Sequence, residues 1–172
     1  MNLNGNYYSY SYYQGYHDLA FFIYLIFNSN MRLGVLAFQR ISEFFFKDYL
    51  DPISINNKFG FETTLKMISL LIEKINPDIS KKIVELSDVE FHHYSLEWII
   101  GWFTHTINEI QLVYRLIDYF ICSHPLAVYY LAAVLIIEIT KTLPDKRNNF
   151  LVIIFNLINK GVQLVLYSLS RN

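Results

Sequence analysis

The sequence predicts an all-α fold built from about seven to nine short helices. Three observations lead there. Apolar residues recur at the helical period through most of the chain. Proline-centred breaks separate the periodic stretches. No Asn-Gly or Asp-Gly hairpin stands between alternating apolar residues, and Asn4-Gly5 lacks the flanking pattern.

The elements follow in order. A greasy stretch from Leu19 to Phe27 ("LAFFIYLIF") reads as the first helix, entered near Tyr16. A helix from about Ile41 to Leu50 is closed by Asp51-Pro52, and Ser54 to Lys58 forms an exposed loop. Phe61, Leu65, Ile68, Leu71, Ile72 and Ile75 fall on one helical face. Asn76-Pro77-Asp78 stops that helix and starts another, with Asn76 as N-cap and Pro77 in the first helical position. Ile110, Val113, Tyr114, Ile117, Phe120 and Ile121 make a second stripe. His124-Pro125 breaks the chain before a helix through Leu126 to Ile139, and Pro144-Asp145 breaks it again before a helix from about Asn148. No internal repeat or low-complexity linker is visible, so residues 1–172 read as a single unit.

Composition narrows the function classes. Hydrophobic residues make up 53% and charged ones 17%, against about 25% charged in an ordinary globular chain. A net charge of −1 gives no basic footprint for nucleic acid. Cys122 is the single cysteine, which rules out an internal disulfide and fits a reducing compartment. The front of the chain is polar and aromatic, without the basic-then-apolar order of a secretory signal. The run Leu126 to Ile137 is too short for a bilayer, which takes about 20 residues. Phe150 to Leu169 is longer, but Asn156, Asn159 and Lys160 interrupt it. Both read as buried helices; a tail helix lying on a membrane, a peripheral association, is the lesser alternative.

Standard catalytic clusters are mostly absent. His92 and His93 are adjacent, so a helix points them apart, and no metal site is expected. There is no H-E-x-x-H, C-x-x-C or Gly-rich phosphate loop. Cys122, in an apolar helix, reads as a buried structural thiol rather than a nucleophile. Trp98 and Trp102 read as core or interface anchors. Asp118 and Glu138 read as solvated or capped charges, with Arg115 or Lys141 as nearby partners.

One stretch stands apart. In "YYSYSYYQGYHDLA", positions 7–20, six tyrosines surround a Gln-Gly pair at the mouth of the first helix. The residues Tyr12-Tyr13-Gln14-Gly15-Tyr16-His17-Asp18 resemble the Tyr-x-Gln-Gly-(aromatic or Met)-x-Asp motif of the TBC domain, which activates Rab GTPases. The likeness continues in "INPDI" (75–79), "SLEWIIGWFTH" (95–105) and "YRLIDYFICSHPLAVYYLAAVLI" (114–136), in family order. It is nearest to the branch of endoplasmic-reticulum-associated activators that carry YYQGYHD.

The resemblance implies a mechanism and a partner. GTP hydrolysis needs a water held in line with the γ-phosphate and charge stabilisation around it. A glutamine amide offers an acceptor for the water and donors for a phosphate oxygen. TBC proteins supply that amide from outside, so Gln14 would be the glutamine finger. Tyr12, Gly15, Tyr16 and Asp18 would belong to the partner-binding surface. Gly15, without a Cβ, would allow close backbone approach, and the helix entered near Tyr16 would turn its N-terminus to the phosphates. Asp18 would tether the first turn. The partner would be a Rab-family small GTPase, bringing its own GTP and Mg²⁺, so the chain would need no cofactor. It would act in vesicle trafficking, in the cytoplasm or at endoplasmic reticulum or Golgi membranes.

The chain departs from the family in one respect. The arginine finger lies upstream of the glutamine in an Ile-x-x-Asp-x-x-Arg pattern, and none of residues 1–13 is Arg. The look-alike Ile75-Asn76-Pro77-Asp78-Ile79-Ser80-Lys81 ends in Lys, which lacks the planar guanidinium fork. Arg32, Arg40, Arg115, Arg147 and Arg171 fall in stretches matching scaffold helices or the tail. An arginine finger contributes about 10³ to 10⁵ in rate, roughly 4–7 kcal/mol of barrier. The expectation is therefore the C-terminal two-thirds of a TBC domain, with residues 145–172 as a helical tail. Either the arginine half is encoded upstream, or the chain is an inert module gripping a GTPase or membrane protein. A small polytopic membrane protein is a third, weaker reading.

Overall fold

A computed structural model describes residues 10–28, 30–51, 59–86 and 90–142, and for 59, 86, 90–94 and 142 the backbone alone. Among them are eight helices and no strand: α1 (Tyr16–Ile26), α2 (Met31–Phe45), α3 (Lys47–Leu50), α4 (Phe59–Ile75), α5 (Pro77–Leu86), α6 (Glu90–Ile100), α7 (Ile110–Cys122) and α8 (Ala127–Thr142). The all-α expectation holds. The expected loop at 54–58 and the tail from 145 lie outside the described residues.

Helix α8 is the axis of one half. It is apolar on nearly every side, and Val128, Leu131, Ala132, Ala133, Leu135, Ile136, Ile137 and Ile139 are all buried. It packs against α4, α5 and α6, which places the Leu126–Ile137 run inside a helical core. Among the described residues no helix is long and apolar enough to cross a membrane. The polar end of α8 keeps Glu138 exposed and paired to Lys141 at 2.6 Å, as the sequence suggested. Asp118 is also exposed.

Local chemistry sets several boundaries. Asn76 caps α5 by accepting the Ile79 N–H at 3.0 Å, with Pro77 in the first turn. Between α7 and α8, the Leu126 N–H donates to His124 Nδ1 at 3.2 Å beside Pro125. In α4 the buried face runs through Thr64, Ile68 and Ile72, while Ile75 lies exposed at the helix end. Thr64, the polar member, donates to the Gly60 carbonyl at 2.9 Å and pairs with the Tyr49 hydroxyl at 2.5 Å.

Three expectations need correction. The helix expected over Ile41–Leu50 is two helices, α2 starting ten residues earlier at Met31 and α3 following a bend at Phe46. The bend occurs without Gly or Pro because Phe46 is buried, its ring 5.1 Å from Trp102 and 5.7 Å from Tyr16. In α7 the buried face is Leu112, Val113, Leu116, Ile117 and Phe120, while Ile110 and Ile121 are exposed. That rotation also exposes Cys122, which is no buried structural thiol. Two residues beyond Phe120 turns a helical side chain to the far side.

The other half holds α1, α2 and the 101–106 turn. Trp102 and Phe103 occupy left-handed backbone, at φ 49° and 62°. Such conformations cost about 1–3 kcal/mol each and persist where packing over-determines them. Here it does: both rings are buried, Trp102 against Phe45, Phe46 and Phe120, and Phe103 against Trp98 and Phe120. Trp98 and Trp102 are thus both core anchors.

Helix α2 is apolar on two sides. Ile41, Ala37, Phe38 and Phe45 turn to the core, whereas Leu33, Leu36 and Phe44 are 50%, 52% and 70% exposed on a second side, with Arg40 between Leu36 and Phe44. Phe21 and Tyr24 of α1 are exposed as well.

Two outcomes follow. Replacing Asn76 by Ala should lower unfolding free energy by about 1 kcal/mol in a urea titration, through loss of the cap. Charging the outer stripe of α2 with Leu33→Glu and Leu36→Lys should leave helical circular dichroism intact while light scattering shows less self-association.

Candidate functional site

The segment before α1 is held at both ends. The Ser11 N–H donates to the Leu50 carbonyl at 2.8 Å. Tyr13 is buried, and its hydroxyl donates to the Ile100 carbonyl at 2.7 Å, across 87 residues of sequence. Tyr16 is half-buried, stacks near Tyr13, Phe38 and Phe46, and donates its hydroxyl hydrogen to Ser42 Oγ. Ser42 in turn donates to the Phe38 carbonyl at 2.5 Å. Two tyrosines therefore bolt this stretch to α2 and α6.

Between the bolts stands Gln14, exposed to solvent. Gly15 follows as the N-cap of α1, at φ 94° and ψ −16°. That left-handed conformation suits glycine and strains any L residue. A Cβ there would meet nothing within 4 Å, so the backbone faces open space. The first turn closes with the Asp18 N–H donating to the Gly15 carbonyl at 3.1 Å.

The other sequence-selected residues cluster around it. Tyr12 is 65% exposed. Its hydroxyl lies 2.8 Å from His17 Nδ1, and His17 Nε2 lies 3.5 Å from Asp18 Oδ1. Asp18 Oδ2 meets His105 Nδ1 at 3.1 Å. With its proton on Nε2, His17 accepts from Tyr12 and donates toward Asp18. The structure thus brings Tyr12, Gln14, Gly15 and Asp18 to one exposed face, while Tyr16 turns its ring inward. His17 and His105 join the cluster without having been singled out. His105 is 87 residues from Asp18, and nothing local in the sequence signals the contact.

Charge at this face is sparse. Among the described residues no group of three or more His, Cys, Asp or Glu could hold a metal ion. His92 and His93 lie within α6, their side chains outside the described residues. Lys81 of the look-alike motif is exposed on α5, and Arg40 on α2 pairs with Glu43 at 3.3 Å.

Comparisons with known proteins bear on the family of the chain. A family model described as the Rab-GTPase-TBC domain matches residues 4–143. The chain belongs to that family. It is 30% identical over 128 residues to TBC1 domain family member 20 of Homo sapiens and of Bos taurus, covering 73% of this chain. It is 32% identical over 130 residues, 74% of this chain, to the GTPase-activating protein gyp10 of Schizosaccharomyces pombe. The aligned stretch amounts to 29% of each mammalian relative and 32% of the yeast one, less than a third of their length. The family match ends at 143, just before the stretch 145–172 expected as a helical tail.

The bolts give the TBC chain a titration signature. Burial pushes Tyr16 up to about 12, with the Ser42 hydrogen bond pulling back, and burial pushes the Tyr13 and Tyr49 hydroxyls higher still. In the unfolded chain each ionises near 10. Above that pH the unfolded state holds fewer protons than the folded one, so stability falls as pH rises. Urea midpoints should be insensitive to these groups below about pH 9 and drop between about 10 and 12. Tyr13→Phe should shrink that drop, as followed by tyrosinate absorbance.

Proposed function

We propose that this TBC chain is a GTPase-activating protein for a Rab-family small GTPase, or the part of one that carries the glutamine finger. One observation supports it above others: Gln14 stands exposed between two tyrosine anchors, Tyr13 buried and Tyr16 half-buried, next to a glycine whose backbone faces open space. In this reading Gln14 enters the nucleotide pocket of the partner. Its carbonyl accepts from the attacking water and its amino group donates to a phosphate oxygen. Gly15 lets the backbone approach, and the positive end of the α1 dipole favours the anionic side of the pocket. Tyr12 and Asp18 sit on the same exposed face and belong to the contact surface. Tyr16 contributes by fixing the segment from below.

The GTP and Mg²⁺ are the partner's. The chain supplies no chemistry beyond positioning and charge complementarity, so the turnover is the GTPase's own. A place in vesicle trafficking, at the cytoplasmic face of endoplasmic reticulum or Golgi membranes, accompanies this reading through the family likeness alone.

A second reading is favoured by one fact: no arginine precedes Gln14 in these 172 residues. The chain by itself would then bind a GTPase without accelerating hydrolysis. Single-turnover GTP hydrolysis over a panel of Rab proteins separates the two. In the first reading the chain stimulates hydrolysis, and Gln14→Ala keeps binding within a few-fold while lowering the stimulated rate by roughly 10². Binding with no stimulation by either form selects the inert module. No binding and no stimulation by either form removes both.

A further inference from the structure

Glutamine side chains are flexible, and Gly15 beside Gln14 is the least restrained backbone position in the segment. An amide that must orient water within a fraction of an ångström needs something to hold its base. The tyrosine bolts fix Tyr13 and Tyr16, but neither reaches across the first turn of α1.

Asp18 occupies that turn, and its two oxygens are engaged from two directions. His17, braced by the Tyr12 hydroxyl, approaches one at 3.5 Å; His105 approaches the other at 3.1 Å. His105 reaches it from a distant part of the chain. It is the exposed member of the 101–106 turn, whose neighbours Trp102, Phe103, Thr104 and Thr106 are all buried. Thr104 Oγ1 also donates to the Gly101 carbonyl at 2.6 Å, which fixes the turn further. The left-handed backbone at Trp102 and Phe103 is thus anchored in the core and presents one polar side chain outward, at Asp18.

We propose that His105 is a positioning residue for Gln14, holding Asp18 from the far side and so fixing the first turn of α1, the Gly15 pivot and the direction of the Gln14 amide. This rests on the reading of Gln14 as the water-orienting group. Exposed histidine–carboxylate pairs contribute little to stability, so the consequence of losing this one lies in geometry rather than in folding. A displacement of about 1 Å at a reacting centre can lower a rate by roughly 10².

The test uses the full chain with His105→Leu, His105→Gln and Gln14→Ala. His105→Gln keeps an N–H donor for Asp18; His105→Leu has none. In the free chain, ¹⁵N relaxation should show backbone order at Gln14 and Gly15 falling from about 0.85 toward 0.6 in His105→Leu, with the helices and the thermal midpoint unchanged. His105→Gln should restore it. With a GTP-loaded Rab, His105→Leu should lower the maximal stimulated rate roughly tenfold at an unchanged half-saturating concentration, again rescued by Gln. Unchanged order at Gln14 and Gly15 in His105→Leu overturns the proposal whatever the GTPase does. An unchanged rate in His105→Leu where Gln14→Ala is impaired overturns it while the glutamine reading stands. Stimulation that survives Gln14→Ala overturns the glutamine reading, and the proposal with it.

Discussion

The packing of Trp102 is the constraint on which the rest of this half of the molecule depends. Its ring lies 4.9 Å from Phe45, 5.1 Å from Phe46 and 5.4 Å from Phe120, so one side chain ties the α2–α3 bend to α7. Its backbone stays in the left-handed region because those contacts hold it there. Two consequences reach the surface. Phe46, drawn inward, supplies one wall of the pocket in which Tyr16 packs. The turn that Trp102 begins carries His105 to Asp18. Aromatic burial, which is non-directional and strong, thus carries His105 to Asp18 from beneath, and the polar contact between them then acts on a prepared geometry.

How much of this was legible in the sequence depends on how local each cause is. The Asn76-Pro77 junction was readable because a cap and a fixed φ act within four residues. The burial of α8 followed from a run of apolar residues with no polar face to offer solvent. The phase of α7 was legible only in part: Ile110, Leu112, Val113, Leu116, Ile117, Phe120 and Ile121 cover about half of the helix circumference, and the neighbours choose which part of that arc is covered. Cys122 was misplaced for the same reason. The bend at Phe46 has no breaker residue to announce it, because its cause is a ring more than fifty residues away.

The site divides along the same line. The Gln-Gly pair and the aromatic residues around it stood out as a local pattern, and the structure gathers Tyr12, Gln14, Gly15 and Asp18 on one face. Which tyrosine turns inward was not legible, since alternation in an extended entry segment is fixed by what lies beneath it. Tyr12 faces out and Tyr13 in because Ile100 offers a carbonyl on that side. His105 lay within a recognised block yet carried no signal of its own, because its partner is far away in sequence.

The two-faced character of α2 bears on what its outer side can meet. A helix normally needs one apolar stripe to join a core. Helix α2 has a second, through Leu33, Leu36 and Phe44, and α1 adds Phe21 and Tyr24 exposed nearby in sequence. Such residues cost free energy in water and gain it when covered, at roughly 25 cal/mol per Å² of apolar surface. An exposed apolar side of this kind gains free energy whenever another surface covers it.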